Sequence, residues 1–144
     1  MRFIILILTT FIIVTGCSQE SGPKILTVDD CKQPPLRNMT SEMKAKSISE
    51  SVNGIDSATA LYINDELDVA IKASNINLLK IETMEKEVFQ KLKAAFPDTN
   101  IFVTDDSKFY KEMEKIGKKT WPTEKDKACK QRKKIKQMEE KLNS

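Results

Sequence analysis

The feature that most restricts the fold of this chain is its N-terminus, where residues 3–14 form an apolar stretch broken only by two threonines. A single basic residue, Arg2, precedes the stretch. It is too short to cross a hydrocarbon core of about 30 Å as a helix, which takes about 20 residues. Its length and basic start are typical of a secretory signal peptide. We therefore expect residues 1–16 to be removed and to take no part in the fold.

The apolar stretch ends in Val14-Thr15-Gly16-Cys17. Small residues directly before a cysteine resemble the lipobox of bacterial lipoproteins. The resemblance implies that the signal peptide is cleaved before Cys17 and that this residue carries a diacylglyceryl thioether. Two or three acyl chains, at about 0.8 kcal/mol per buried methylene, hold a protein stably at a membrane. An ordinary secretory signal or an uncleaved anchor is the alternative.

Composition excludes several classes of activity. The 144 residues include no histidine, which rules out imidazole general-base catalysis and histidine-ligated metal sites. Loss of Arg2 with the signal peptide leaves 23 of the 24 basic residues against 21 acidic ones. Asp98, Asp105 and Asp106 lack the spacing of an EF-hand loop, and Asp106 is instead predicted to cap the helix that follows it. We predict no catalytic residue, no metal site and no cofactor.

The mature chain divides into a tether, a domain and a tail. Residues 17–38 are polar and contain Pro34-Pro35, which predicts a flexible tether; the run 25–28 is an alternative edge strand. Residues 39–117 are predicted to form a domain. The domain begins with a helix that is capped by Thr40 or Ser41 and ends at Asn53-Gly54, and its inner side carries Met43, Ala45, Ile48 and Val52. Two strands follow, 57–64 and 67–74, joined by a turn at Asp65-Glu66. The remaining elements are a helix over 79–96, a strand over 101–104 and a helix over 107–116.

This order of elements, α-β-β-α-β-α, predicts an α+β fold with a three-stranded sheet and helices mainly on one face. The second strand supports the arrangement, because Leu67, Val69 and Ile71 alternate with Asp68 and Ala70. Such alternation predicts one buried face and one face largely in water.

Residues 118–144 form a basic tail, with nine Lys or Arg and two acidic residues between 118 and 136. Ile135, Met138 and Leu142 have helical spacing, so the tail is predicted to be helical, and either weakly docked or folded only on contact. It either lies on anionic lipid, binds acidic polymers or a partner protein, or is simply solvated. The residues nominated for lipid or partner contact are Lys118, Lys119, Trp121, Lys130, Arg132, Lys133, Lys134 and Lys136.

Cys31 and Cys129 lie in the two predicted tails, one in each. Outside the cytoplasm such a pair can persist as a disulfide. The bridge would close a loop of about 98 residues, which is worth about 4–5 kcal/mol in the chain-entropy account. Two free or intermolecular thiols are the alternative.

Four segments together resemble a known family. They are 52–60 (VNGIDSATA), 69–72 (VAIK), 96–98 (FPD) and 101–106 (IFVTDD). Over residues 40–116 they resemble the sporulation lipoproteins labelled YhcN/YlaJ, with the basic extension outside the expected shared core. The resemblance implies expression during endospore formation, anchoring in a spore membrane, and a role in spore assembly or germination. The same strand pattern also looks like the BON domains of envelope proteins.

We therefore expect a non-enzymatic structural or interaction component of the spore envelope, bound to membrane lipid through Cys17. Its domain and basic tail are expected to contact either another spore-envelope protein or lipid head groups. No nucleic acid or small-molecule substrate is expected, since aromatic residues scarcely interleave with the basic ones. The alternative is a BON-like module that binds anionic phospholipid in vegetative cells. A cell-wall hydrolase is least favoured, because no Asp or Glu is singled out.

Overall fold

The computed structural model describes residues 31–74 and 80–144, so Cys17, the signal peptide and the first part of the predicted tether lie outside it. Within these ranges no helix is long and apolar enough to span a bilayer. The elements in chain order are α1 (Met39–Glu50), β1 (Ile55–Ile63), β2 (Glu66–Ala73), α2 (Ile81–Ala95), β3 (Asn100–Thr104), α3 (Ser107–Gly117) and α4 (Lys125–Leu142).

The three strands form one mixed sheet in the order β1-β2-β3. β1 and β2 are antiparallel, whereas β2 and β3 are parallel. A parallel neighbour needs a long crossover, and the segment that contains α2 supplies it. The hairpin turns at Asn64-Asp65, one residue earlier than predicted. Asn64 has a φ of 56°, a left-handed conformation that asparagine tolerates better than most residues.

α1 and α2 cover the first face of the sheet, where they enclose the larger core. Its buried residues are Ala45, Val52, Ile55, Ala58, Ala60, Leu67, Val69, Ile71, Met84, Val88 and Leu92. The predicted stop at Gly54 is present, with a φ of 96°. A Cβ at this position would also lie 2.7 Å from the Met84 sulfur, so both backbone conformation and packing require glycine here.

α3 and α4 cover the opposite face and form a second core. Its buried residues are Leu61, Ile63, Ala70, Phe109, Tyr110, Met113, Ile116 and Ile135. The α+β class and the three-stranded sheet are confirmed, but the helices lie on both faces rather than mainly on one. Asp68 and Ala70, predicted on a wet face, are therefore 1% and 0% exposed.

The termini of two helices show how local sequence sets their position. α1 begins earlier than predicted because Asn38, rather than Thr40 or Ser41, is its cap, and the Asn38 side chain accepts from the Ser41 N–H at 3.0 Å. Asp106 caps α3 as predicted, accepting from the Phe109 N–H at 2.6 Å. α4 is helical, and its buried Ala128 and Ile135 make it part of the domain rather than a tail.

Candidate functional site

The candidate site is the side of the domain where the chain from Cys17 arrives, and we call it the anchor-side surface. It consists of the strap (residues 31–38), the C-terminal end of α3 with its following connection (115–122), the exposed side of α1, and the N-terminal half of α4. The structure brings these segments together although they lie up to about a hundred residues apart in the sequence.

The strap runs along the end of β1 and extends the sheet. Its Leu36 N–H donates to the Asn64 side-chain oxygen at 2.9 Å, and the Asn64 N–H donates to the Leu36 carbonyl at 2.8 Å. The Asn38 N–H donates to the Tyr62 carbonyl at 2.9 Å, and Arg37 pairs with Ile63 as an antiparallel bridge. The prediction that the flexible tether reaches residue 38 is therefore wrong for residues 31–38.

Arg37 fastens the strap to α1 and to the C-terminal end of α3 with the connection that follows it. Its buried guanidinium donates to both carboxylate oxygens of Glu42 in α1, each at 2.7 Å. It also donates to the carbonyls of Ile116, Gly117 and Lys119 at 3.3–3.4 Å. A cation at this helix end satisfies otherwise unpaired carbonyls and the negative end of the helix dipole. Glu42 in turn accepts from the Tyr62 N–H at 3.1 Å. Sequence analysis missed both members of this pair.

Two further links tie the strap to the C-terminal part of the chain. Cys31 and Cys129 form a disulfide, with their Cα atoms 6.1 Å apart. The Trp121 indole N–H donates to the Pro35 carbonyl at 2.8 Å. Trp121 is half-buried in this position, and its nomination for lipid or partner contact stays a prediction.

A lysine-lined groove lies between α3 and α4 and is called the basic groove here. Its basic residues are Lys115, Lys119, Lys127, Lys130 and Lys134. Within the described part of the chain, Lys119 and Lys130 make no ion pair, whereas Lys127 pairs with Glu124 at 2.7 Å. Lys119, Lys130 and Lys134 were nominated from sequence, and the structure brings them together here.

Glu112 moderates the charge of the basic groove. The ammonium groups of Lys115 and Lys134 each lie 2.7 Å from its carboxylate. These hydrogen bonds lower the pKa of Glu112 from its ordinary 4.5 to about 2. Glu112 is thus ionised at neutral pH, and Lys119 and Lys130 are the groove cations most available to an anionic ligand.

Of the other nominated residues, Lys118 lies beside the groove and pairs with Glu114 at 3.1 Å, and Lys133 is half-buried on α4. Arg132 is buried, which is not compatible with lipid contact, whereas Lys136 is half-buried and is engaged in ion pairs. Lys136 lies 3.1 Å from Glu66 and 2.9 Å from Glu139.

Arg132 lies in a buried ionic cluster between α4 and β2. Its guanidinium is 3.1 Å from the Asp68 carboxylate, contacts Glu66 and lies 4.0 Å from Glu139. Burial raises the pKa of Asp68 well above its ordinary value, and the Glu139 carboxylate raises it further. Burial likewise lowers the pKa of Arg132 to about 10, so its guanidinium is still charged at neutral pH. The cluster joins α4 to the sheet.

The structure places Asp98, Asp105 and Asp106, which were considered for calcium, outside any group arranged to hold a metal ion in the described ranges. In residues 31–74 and 80–144, no group of three or more acidic, cysteine or histidine side chains is arranged to hold a metal ion.

The comparison with known families decides the identity of the chain. The family described as sporulation lipoprotein YhcN/YlaJ matches residues 29–139. The chain belongs to this family. The match includes the strap, Cys31, Cys129 and most of α4, and so extends well beyond the 40–116 resemblance. No curated protein and no solved structure matches the chain. Membership makes it a spore-related lipoprotein, a class anchored through membrane lipid.

Proposed function

We propose that this chain is held in a spore membrane by acyl chains on Cys17 and that its domain is a non-enzymatic structural or interaction component of the spore envelope. The observation that carries the proposal is the family match, which begins at residue 29, twelve residues after the lipobox cysteine.

The docked strap supports this proposal by limiting how far the domain can move from the lipid. Cys31 lies fourteen positions after Cys17, so fourteen residue-to-residue steps join them. At no more than about 3.5 Å per residue, they hold Cys31 within about 50 Å of the acylated residue, compared with about 75 Å for a tether that reaches residue 38. The chain that leads to the acylated residue therefore leaves the domain at the anchor-side surface.

A non-enzymatic role is supported by the absence of histidine from the sequence and by the position of the most perturbed carboxylate. A strongly shifted pKa can mark a catalytic group. Asp68, however, is 1% exposed and lies beneath α4 against Arg132. Its perturbation follows from helix docking, and no substrate could reach it without undocking α4.

The time and place of accumulation test the proposal. We expect mass spectrometry of the native chain, sampled through growth and sporulation, to find it in developing spores and in their membrane fraction. Equal abundance in growing cells would instead favour the alternative of a phospholipid-binding envelope module in vegetative cells.

We further propose that the basic groove lies against anionic head groups and strengthens the anchor. A basic residue near an anionic surface contributes about 1 kcal/mol. We therefore expect Lys119→Gln with Lys130→Gln to weaken vesicle binding of the mature, non-acylated chain by about 2 kcal/mol. The measurement is co-sedimentation with phosphatidylglycerol vesicles at low salt, where screening is weakest.

The matched control is Lys86→Gln with Lys91→Gln, which removes the same charge from α2 on the opposite face of the sheet. Both control lysines form exposed i,i+4 pairs, which are worth about 0–1 kcal/mol. Equal losses in the two double variants would show that net charge matters and the groove does not.

A further inference from the structure

Three large apolar side chains stand exposed beside the strap, and we call them the apolar patch. Leu36, Met39 and Met43 are 72%, 62% and 66% exposed, more than any other large apolar side chain in the described ranges. Met39 and Met43 lie one turn apart on α1. Leu36 and Met39 line one surface depression, and Met39 and Met43 line the next. Single exposed apolar residues are ordinary, but a contiguous group marks a contact surface.

Leu36, Met39 and Met43 belong to neither hydrophobic core of the domain. The sequence pattern placed Met43 on the inner side of α1 with Ala45, but the structure turns it outward. The buried residues of this helix are Glu42, Ala45 and Ser49. Glu42 takes the inner position because it pairs with Arg37 of the strap, and its neighbour Met43 is left facing water.

The position of the apolar patch favours a lipid bilayer as the phase that covers it. Leu36 lies five residues after Cys31, at most about 17 Å along the chain. Cys31 in turn lies fourteen positions after the lipobox residue Cys17. The bilayer that holds Cys17 is therefore the apolar phase closest to the patch.

The charges around the apolar patch are also suited to a lipid surface. Lys46 and Lys118 line the same depression as Met39 and Met43, although each is paired with a glutamate, at 3.7 Å and 3.1 Å. The adjacent Lys119 opens onto the basic groove. Apolar residues flanked by long basic side chains match the boundary between acyl chains and anionic head groups, where lysine stems lie along apolar material and their ammonium groups reach water.

We propose that Leu36, Met39 and Met43 insert into the interfacial region of an anionic bilayer and so fix the orientation of the domain on the membrane. The proposal rests on the proposed anchoring at Cys17 and deepens it, because it names the protein surface that meets the lipid. Cys17 then determines that the domain stays at the membrane, and the apolar patch determines which side faces it.

The test uses the mature chain with Cys17→Ser, so that binding depends on the surface alone. The probe is vesicles of phosphatidylcholine mixed with phosphatidylglycerol. We expect Leu36→Gln, Met39→Gln and Met43→Gln together to lower the association constant at least about 50-fold, since each removes apolar area that would leave water. The control, Phe89→Gln with Leu142→Gln, removes the two other large apolar side chains that are exposed in residues 31–74 and 80–144, at 42% and 41%, and should leave binding unchanged.

A second measurement does not depend on loss of binding. Relative to the parent chain, whose emission comes from Trp121, Met39→Trp should add a blue-shifted emission on addition of vesicles and quenching by brominated lipid, whereas Phe89→Trp should add neither. Circular dichroism and the melting temperature establish that every variant is folded.

Three outcomes would overturn the proposal. They are a folded Cys17→Ser chain that does not bind vesicles, a triple variant that binds as well as its parent, and a self-association that the triple variant abolishes, which would assign the patch to a second copy of the chain. Acylation of Cys17 in cells is measured separately. If Cys17 is not acylated, the proposed anchor is refuted, but the vesicle binding of the apolar patch is still tested independently.

Discussion

Replacing Arg132 by methionine is expected to lower the free energy of unfolding by about 3–5 kcal/mol at neutral pH, because removing one partner of a buried ion pair leaves a charge without compensation. Arg132 is 5% exposed and Asp68 is 1% exposed, so water cannot replace the lost partner. The measurement is urea unfolding at pH 7. The control is Lys125→Met, an exposed position on the same helix, which should change stability by less than about 0.5 kcal/mol.

The stability lost in the Arg132→Met variant should become smaller as the pH is lowered. Burial raises the pKa of Asp68 above its ordinary 3.8, so the folded state favours the neutral acid. The cost of burying the charge is absent below the ordinary pKa, grows as the pH rises from the ordinary to the folded-state pKa, and is complete above the folded-state pKa. The Arg132→Met defect should therefore shrink towards pH 4, and Asp68→Asn should restore part of the stability at pH 7. A defect below about 1 kcal/mol at pH 7 would contradict the docking of α4 through this pair.

Replacing Cys31 and Cys129 by serine is expected to lower the free energy of unfolding by about 2–5 kcal/mol. The bridge spans a sequence separation of 98 residues, so its loss restores much conformational freedom to the unfolded chain. The double serine substitution should also allow the strap to detach locally from the folded domain. Amide exchange at Leu36 and Asn38, whose N–H groups donate to Asn64 and Tyr62, should accelerate more than exchange in β2.

Reductant provides the control for this effect. It should destabilise the parent chain to the level of the double serine variant and leave that variant unchanged. Two titratable thiols in the untreated mature chain with Cys17→Ser, or a reductant-sensitive dimer, would contradict the intramolecular bridge.

Local sequence patterns were enough to predict the central part of the fold. Alternation along 67–74 and the helical spacing of Met84, Val88 and Leu92 identified β2 and α2, because each pattern reports burial on one element. The Asp106 cap was likewise predictable, since the side chain binds an N–H three residues away.

The features that were predicted wrongly or missed depend on contacts between segments that are distant in the sequence. α4 reads as a solvated basic tail, because the few apolar residues that bury it are surrounded by lysines, and its Arg132 finds Asp68 across 64 residues. Arg37 lies in a polar, proline-containing segment and binds carbonyls about 80 residues away. No local pattern shows such pairings, so the strap was predicted as tether. The lysines of the basic groove were identified individually, but only the tertiary structure separates them from the buried Arg132 and the half-buried Lys136.

The central claim is that acyl chains on Cys17 hold this domain at a spore membrane, and the most direct test is the intact mass of the chain recovered from membranes of sporulating cells. We predict a wild-type chain that begins at Cys17 and carries the mass of at least a diacylglyceryl group, and a Cys17→Ser chain that is absent from the washed membrane fraction. An unmodified wild-type chain in that fraction, or a Cys17→Ser chain that is processed and retained there equally well, would contradict the account.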